Sequence, residues 1–207
     1  MASDAVVHLI DDDDGVRQAL TFLLTNSGYA VRVYESANTF LEVLATLQPG
    51  CIVTDIRMPG MSGLDLQRQL KARRVGFPVI IMTGHGDVQL AVEAMKEGAI
   101  DFIEKPFSDE ILISAIQIAI NRYARDTKRE DAAAAVEAKL KRLSPREAEV
   151  LEGLMAGLPN KTIAYDLKIS ARTVEVHRAN VMIKMGAGNL SELVRMMFVA
   201  RPARADL

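Results

Sequence analysis

The chain has 207 residues, of which 49% are hydrophobic and 25% charged, and its formal net charge is −2. This composition is typical of a globular protein and excludes a disordered one, and the length suits one large domain or two small ones. The single cysteine, Cys51, excludes an internal disulfide framework and indicates a reducing compartment. No apolar run approaches the ~20 residues that cross a bilayer, and the acidic beginning of the chain does not resemble a signal peptide. We therefore expect a cytoplasmic protein that contacts no membrane.

Charge is distributed unevenly along the chain. Residues 1–123 carry ten Lys or Arg and sixteen Asp or Glu, whereas residues 141–207 carry eleven and seven. This asymmetry predicts two domains with different partners, the basic one a candidate for a polyanion. Between them, residues 124–142 lack Gly and Pro and are rich in Ala, Glu, Lys and Arg, which favours a semi-rigid helical linker. An ordinary exposed helix end that frays is the alternative.

In the first half, short apolar runs alternate with segments of helical period. The runs are Val6–Ile10, Ala30–Tyr34, Cys51–Thr54, Pro78–Met82 and Ile100–Ile103. Several are continuous and β-branched, which is typical of strands buried on both faces of a parallel sheet. Five strand–helix units in this length predict an α/β, doubly wound, five-stranded sheet with right-handed crossovers. Ligands of such sheets bind outside the carboxyl ends of the strands.

Polar residues gather at those strand ends. Asp11–Asp14 follow the first strand, Asp55 ends the third, Thr83–His85 follow the fourth, and Lys105 with Pro106 follows the fifth. Converging carboxylates repel one another, and a hard divalent cation with oxygen ligands, as Mg²⁺ prefers, relieves the repulsion. Such a site suits a phosphoryl group, with Asp55 as nucleophile and with Thr83 and Lys105 as partners of its oxygens. A solvated acidic loop or a helix N-cap is the alternative for any one of these carboxylates.

These motifs, together, resemble the receiver domain of two-component response regulators. They are IDDDD (10–14), VTDIRMPGMSGLDL (53–66), MTG (82–84) and EKPF (104–107). The resemblance implies a flavodoxin-like sheet of strand order 2-1-3-4-5. It also implies that Asp55 is the phosphoacceptor and that Mg²⁺ is bound by Asp11, Asp12, Asp55 and the backbone carbonyl of Arg57. The implied phosphoryl-binding and switch residues are Thr83, Lys105 and Phe102, and Pro106 is implied to follow a cis peptide bond. Phe102 stands where many receivers have Tyr, so switching at this position would depend on packing alone.

The second half has strong signals for helices. Ser144 to Glu147 form a capping box with Pro at the first helical position. Asn160 is expected to cap a short helix, Lys161–Leu167, and a tight turn leads to a longer one, Ala171–Met185. A last helix is expected at about Leu190–Val199. Two helices joined by a tight turn, the second polar and basic, predict a helix-turn-helix that binds double-stranded DNA.

The expected DNA contacts divide by chemistry. Phosphate contacts are assigned to Lys161, Arg172, Arg178 and Lys184, and contacts with base edges to Thr173, Glu175, Val176 and Asn180. For His177 a phosphate contact and a structural hydrogen bond are both open. A small protein-binding helical bundle is the alternative for the whole segment.

Residues 143–186 resemble the LuxR/NarL-type helix-turn-helix, and MTGHGD, LPNKTIAYDL and RTVEVHRANVM resemble FixJ-type response regulators. The resemblance implies a FixL-like sensor histidine kinase as partner, a homodimer formed on phosphorylation through the region Val88–Phe107, and contact with RNA polymerase. The expected domains are a receiver at 4–122, a helical linker at 123–142 and a DNA-binding domain at 143–203.

The first half leaves a rival hypothesis, a metal-dependent phosphatase with an Asp nucleophile. Such enzymes often place a general-acid Asp two residues after the nucleophile, where this chain has Arg57. The second rival is an adaptor whose helical half binds protein. We therefore expect a phosphoacceptor regulator that is not an enzyme beyond its own phosphotransfer and slow dephosphorylation. Its expected function is transcription regulation as an activator, with repression left open.

Overall fold

Two compact units make up the chain, Met1–Arg125 and Asp126–Leu207. The computed structural model describes residues 5–84 and 88–200, and of Val88 only the backbone. The expected domain ends at residues 4 and 203, and His85 of the fourth strand end, lie outside the described residues.

The first unit contains one sheet of five parallel strands in the order β2-β1-β3-β4-β5. The strands are β1 (Val6–Ile10), β2 (Ala30–Tyr34), β3 (Gly50–Asp55), β4 (Val79–Thr83) and β5 (Asp101–Glu104). The expected doubly wound fold and strand order are confirmed. The central strands β1, β3 and β4 are buried along their whole length, whereas the edge strand β2 is partly exposed.

Helices cover both faces of this sheet. They are α1 (Asp14–Asn26), α2 (Ala37–Val43), α3 (Gly63–Ala72), α4 (Val88–Glu97) and α5 (Asp109–Leu140), with a 3₁₀ turn at Leu44–Thr46. Successive strand residues point to opposite faces, so Leu9 and Ile10 of β1 belong to different apolar clusters. Leu9 packs in the cluster that includes Leu24 of α1 and Ile116 of α5, and Ile10 in the one that includes Phe40 of α2. The sheet is thus packed between two apolar clusters, one on each face, and these fix the positions of the strand ends.

The expected strand limits differ from the observed ones by one residue in β3, β4 and β5. Pro78 was expected in β4 but lies before it, because proline has no N–H to donate to a ladder. Its carbonyl still accepts a hydrogen bond from the backbone N–H of Ile52, at 2.8 Å. Asp55 falls inside β3, as its last residue.

The second unit is helical and contains α6 (Pro145–Met155), α7 (Asn160–Leu167), α8 (Ala171–Met185), α9 (Leu190–Ala200) and the end of α5. The Ser144 capping box is present. Asn160 was expected to cap α7 but is its first residue. Pro159 takes the cap position, and its carbonyl accepts from the N–H groups of Thr162 and Ile163. Within the described residues, no helix is long and apolar enough to cross a membrane.

The segment expected as a linker, 123–142, is helical as far as Leu140 and belongs to α5. Val136 is buried in the apolar core of the second unit, together with residues of α6, α8 and α9. The end of α5 is therefore a packed part of that unit and not a free connection.

A buried histidine lies in the middle of β1. The ring of His8 is stacked on Phe77 at a centroid distance of 6.0 Å and is completely buried. Its Nε2 lies 3.0 Å from the carbonyl of Gln48, which can only accept, so Nε2 carries the proton. Nδ1 is then free to accept from the hydroxyl of Tyr34, at 3.3 Å. Burial lowers the pKa of His8 below 6.5, so the fold favours the neutral ring.

Acid should therefore destabilise the first unit through His8. The unfolded chain binds a proton at His8 below its ordinary pKa of 6.5, whereas the folded chain resists protonation until lower pH. The contribution of His8 to stability is thus complete above pH 6.5 and is lost as the pH falls towards the folded-state pKa. We expect the urea midpoint, followed by circular dichroism, to fall less between pH 7.5 and 5.5 in His8→Gln than in the wild type. Equal pH dependence in both proteins would contradict this.

Candidate functional site

Two carboxylates and one amine meet at the carboxyl edge of the sheet. β1 and β3 are paired so that Ile10 is opposite Thr54, which places Asp11 and Asp55 side by side. Asp11 is 1% and Asp55 9% exposed. Lys105, which follows β5, lies between them, with Nζ 2.8 Å from Asp11 Oδ2 and 2.7 Å from Asp55 Oδ1. The structure thus brings together three of the residues that the sequence placed at separate strand ends.

The bridge that Lys105 forms between Asp11 and Asp55 keeps its amine protonated. Burial by itself would lower the pKa of the Lys105 amine, but the hydrogen bonds and charges of Asp11 and Asp55 outweigh it and raise the pKa above its ordinary value. The backbone N–H of Arg57 donates to Asp55 Oδ2 at 2.7 Å, and that of Asp13 donates to Asp11 Oδ1 at 2.9 Å. Both carboxylates are therefore held in one orientation by donors on each oxygen.

Gly63 lies where the chain folds back against the backbone of Asp55, and a glycine is required at this position. A Cβ atom on Gly63, the first residue of α3, would lie 2.3 Å from the carbonyl oxygen of Asp55. The N–H of Gly63 donates to the carbonyl of Ile56 at 3.1 Å, so the loop closes on itself. This close approach fixes the backbone that carries Asp55 and Arg57.

The four carboxylates of the acidic run are in different environments. Asp11 faces the bridge, and Asp12 is exposed and lines a surface groove together with Arg57. Asp13 caps α1 by accepting from the N–H of Val16, and this hydrogen bond lowers the pKa of Asp13. Asp14 forms an ion pair with Arg17. The N-cap interpretation therefore applies to Asp13, while Asp11 and Asp12 lie at the strand end.

The remaining expected receiver residues lie around this edge. Thr83 ends β4 and is 1% exposed, and its carbonyl accepts from the N–H of Lys105. Phe102 in β5 is partly buried against the apolar cluster of α2, α3 and α4. The Lys105–Pro106 peptide bond is cis.

The described residues contain no group of three His, Cys, Asp or Glu side chains placed to hold a metal ion. The single positive charge of Lys105 offsets one of the two negative charges of Asp11 and Asp55, and Asp12 extends into solvent. By donor chemistry the site nevertheless fits Mg²⁺, because carboxylate oxygens from two neighbouring strand ends and a third carboxylate at the rim are the ligands that this ion prefers.

In the second unit, α7 and α8 form a helix-turn-helix with a three-residue turn. Lys168 ends α7 in the left-handed conformation, with φ of 55°, which redirects the chain. Ser170 then caps α8 by accepting from the N–H of Thr173 at 3.0 Å. The limits of α8 are those that the sequence predicted.

Most of the expected DNA-contacting side chains are available at the surface. Arg172, Glu175 and Val176 of α8 and Lys161 of α7 are exposed, while Thr173, His177, Arg178 and Asn180 are partly exposed. In the described part of the chain, Lys161, Arg172 and Arg178 form no ion pair. The Nδ1 atom of His177 is buried there without a hydrogen-bond partner, so a structural hydrogen bond of this atom is not observed.

Lys184 is the exception, because its amine lies 2.6 Å from Glu147 Oε2 in α6. Glu147 is 4% exposed and also accepts from the N–H of Ser144. The hydrogen bond from Lys184, followed by that from Ser144, lowers the pKa of Glu147 to about 2. Lys184 therefore forms an ion pair within this unit, and its expected phosphate contact stays a prediction. The capping box had shown only the local role of Glu147, since its partner lies 37 residues away.

A second amine fixes the same end of α8. Lys139, near the end of α5, donates to the carbonyl of Met185 in the last turn of α8, at 2.9 Å. A cation at a helix C-terminus is favourable because the last carbonyls carry partial negative charge. Lys139 was missed from the sequence, where it is one of several Lys and Arg residues in a polar helix.

Both halves of the chain match known families. Residues 7–117 match the response regulator receiver domain, and residues 141–197 match the luxR family of bacterial regulatory proteins. The transcriptional regulatory protein FixJ of Azorhizobium caulinodans is 56% identical over 206 residues, which cover 100% of this chain and 98% of the relative. FixJ of Rhizobium meliloti is 52% identical, over 94% of this chain and 95% of the relative.

Solved structures agree with this assignment. Full-length FixJ from B. japonicum is 50% identical and has a TM-score of 0.62, with 96% of this chain and 98% of that chain covered. The response regulator StyR is 40% identical and has a TM-score of 0.82, with 94% and 98% covered. The chain therefore belongs to the FixJ-type response regulators, transcriptional regulators that join a receiver domain to a LuxR-type DNA-binding domain.

Proposed function

We propose that Asp55 receives a phosphoryl group from a sensor histidine kinase, FixL-like by analogy, and that this modification controls DNA binding. The observation that carries the proposal is the pair of buried carboxylates held around Lys105 at the open edge of the sheet. The proposed domains are the receiver at 4–122 and the DNA-binding domain at 143–203, joined by the helical linker at 123–142, whose Val136 packs in the core of the second unit.

In the proposed transfer, an oxygen of Asp55 forms a bond with phosphorus as the bond between phosphorus and the kinase histidine nitrogen breaks. The chain contributes position and charge, which is the main requirement of phosphoryl transfer. The N–H of Arg57 orients Asp55, and the amine of Lys105 lies within reach of the incoming oxygens. The hydroxyl of Thr83 is proposed as the second partner of these oxygens.

Receiver domains generally bind Mg²⁺ at the phosphorylation site. Here Asp11, Asp12, Asp55 and the backbone carbonyl of Arg57 are proposed to hold it. When bound, the ion supplies positive charge that balances the carboxylates and the phosphoryl oxygens. The exposed position of Asp12 leaves its carboxylate free to turn towards the site.

The proposed output is a homodimer formed through Val88–Phe107. On α4, Val92 is 47% and Met95 50% exposed, which gives this region apolar surface that a second copy could cover. Movement of Thr83 and Lys105 towards the phosphoryl group would change the packing of Phe102 in β5, next to α4. A dimer would then place two copies of α8 on a pseudo-palindromic DNA site.

In this proposal the protein acts in the bacterial cytoplasm, as an activator that contacts RNA polymerase. It is a transcription factor and not a catalytic enzyme in general; slow self-dephosphorylation is the only turnover proposed. A hydrolase with an Asp nucleophile is disfavoured by Arg57, which occupies the position of the second Asp and has no carboxyl to act as general acid.

Asp55→Asn should prevent phosphorylation, because an amide cannot serve as the nucleophile. After incubation with Mg²⁺ and acetyl phosphate, intact mass is expected to show one added phosphoryl group on the wild type and none on Asp55→Asn. Asp65→Asn is the matched control, since Asp65 lies exposed on α3 of the same domain, and it should be modified like the wild type. Oligomeric state, measured on the same samples, should shift from monomer to dimer only where the mass shifts. Modification of Asp55→Asn would contradict the proposal.

Arg172→Ala and Lys184→Met should weaken DNA binding in different ways. Loss of one phosphate contact lowers the slope of log Kd against log salt by about one, and we expect this for Arg172→Ala. Lys184→Met should weaken binding with the slope unchanged, because the buried carboxylate of Glu147 loses its cation and keeps only the N–H of Ser144, which disturbs the packing of α6 against α8.

The two variants are compared by fluorescence anisotropy on one duplex at several salt concentrations. Adding Glu147→Gln to Lys184→Met should restore part of the lost affinity, since the uncompensated carboxylate is then removed. A reduced salt slope for Lys184→Met, without rescue by Glu147→Gln, would instead assign Lys184 to a DNA phosphate.

A further inference from the structure

The outward face of α8 carries a line of residues that the sequence assignments covered only in part. Successive residues of a helix are rotated by about 100°, so residues 4, 7 and 11 positions apart lie on one side. One such line, within about 60° of arc, is directly opposite the completely buried side of the helix. The outward line is Arg172, Val176, Ala179 and Ile183, and the buried side is Val174, Val181 and Met185.

Beyond Arg172 this line is apolar. Val176 is 55% and Ile183 is 77% exposed, and Ala179 is exposed as well. The polar residues of α8 flank the line, with Glu175 on one side and Asn180 on the other. Two exposed β-branched side chains on the most outward line of a DNA-binding helix would contribute to binding by contact with an apolar group, because removal of such a side chain from water is favourable.

DNA offers one apolar group of this kind in the major groove, the 5-methyl group of thymine. The line is continuous with Arg172 at the N-terminal end of α8, which forms no ion pair in the described residues and can contact a phosphate. A cation followed by apolar side chains matches a groove bordered by phosphates and carrying methyl groups. A purely apolar protein surface would offer Arg172 no negative charge.

We propose that Ile183, together with Val176, selects thymine at two positions of the DNA target. The inference rests on the proposed function, in which α8 enters the major groove. Val176 and Ile183 are seven residues apart, or about 10.5 Å along the helix axis. Successive nucleotides of a strand are about 3.4 Å apart, so a helix aligned with the groove places the two thymines about three base pairs from each other.

The test uses the full chain, phosphorylated with acetyl phosphate, and a duplex that the wild type selects from a random library. Each thymine of that duplex is replaced in turn by deoxyuridine, which removes only the 5-methyl group. At one thymine, we expect the replacement to weaken binding of the wild type about fourfold, which corresponds to the loss of one buried methyl group. The same replacement should not change the binding of Ile183→Ala. A second thymine, about three base pairs away, should behave in the same way with Val176→Ala.

Phe198→Ala is the control, because Phe198 is 62% exposed on α9, away from this line. It should keep the full thymine dependence whatever its overall affinity. Ile183→Val should keep most of it, since valine retains both branches at Cβ and lacks only the terminal δ methyl group. Because Ile183 is exposed, its variants should fold, which circular dichroism verifies.

A selected duplex in which no thymine is coupled to Ile183 would overturn this inference alone, as would a duplex with no thymine at the required spacing. A phosphorylated protein that enriches no duplex at all would overturn the proposed DNA recognition, and this inference with it.

Discussion

Two carboxylates with almost no exposure to solvent, Asp11 and Asp55, share one cation, the amine of Lys105. Burial of two such charges is costly unless they are compensated, so the site depends on Lys105, which offsets one of the two charges and donates a hydrogen bond to each carboxylate. In the proposed function, phosphoryl oxygens on Asp55 compete with Asp11 for the same amine. The negative charge added at Asp55 is thereby linked to the position of the Lys105 side chain, which follows β5. This link is a physical basis for switching.

The second unit uses its charges differently. Among the described residues of this unit, some cations hold helices in place, whereas others, such as Lys161, Arg172 and Arg178, form no ion pair. Lys139 and Lys184 both fix the last turn of α8, one through the carbonyl of Met185 and the other through Glu147. With its C-terminal end held at two points, α8 presents its outward line in a fixed direction, and the exposed Arg172 is available to polyanionic DNA.

Much of the fold could be predicted because its signals are local. Continuous β-branched runs and helical periods predicted all five strands and the doubly wound sheet, and the capping box at Ser144 marked the beginning of α6. The predictions were wrong at strand and helix ends where a backbone hydrogen-bonding group, either a donor or an acceptor, decides the boundary. Pro78 has no N–H for a ladder, and the carbonyl of Pro159 performs the capping assigned to Asn160.

The fold class, the strand-end carboxylates, Lys105 and the helix-turn-helix follow from the amino-acid sequence, because each depends on residue type and spacing within one segment. Pairing of charges between distant segments follows from the packing of the folded chain. Lys184 meets Glu147 from 37 positions away, and Lys105 meets Asp11 from 94. The same packing places residues around Val136 in the second core and leaves Ile183 exposed. Distances between separate segments are set by packing, and no local pattern contains them.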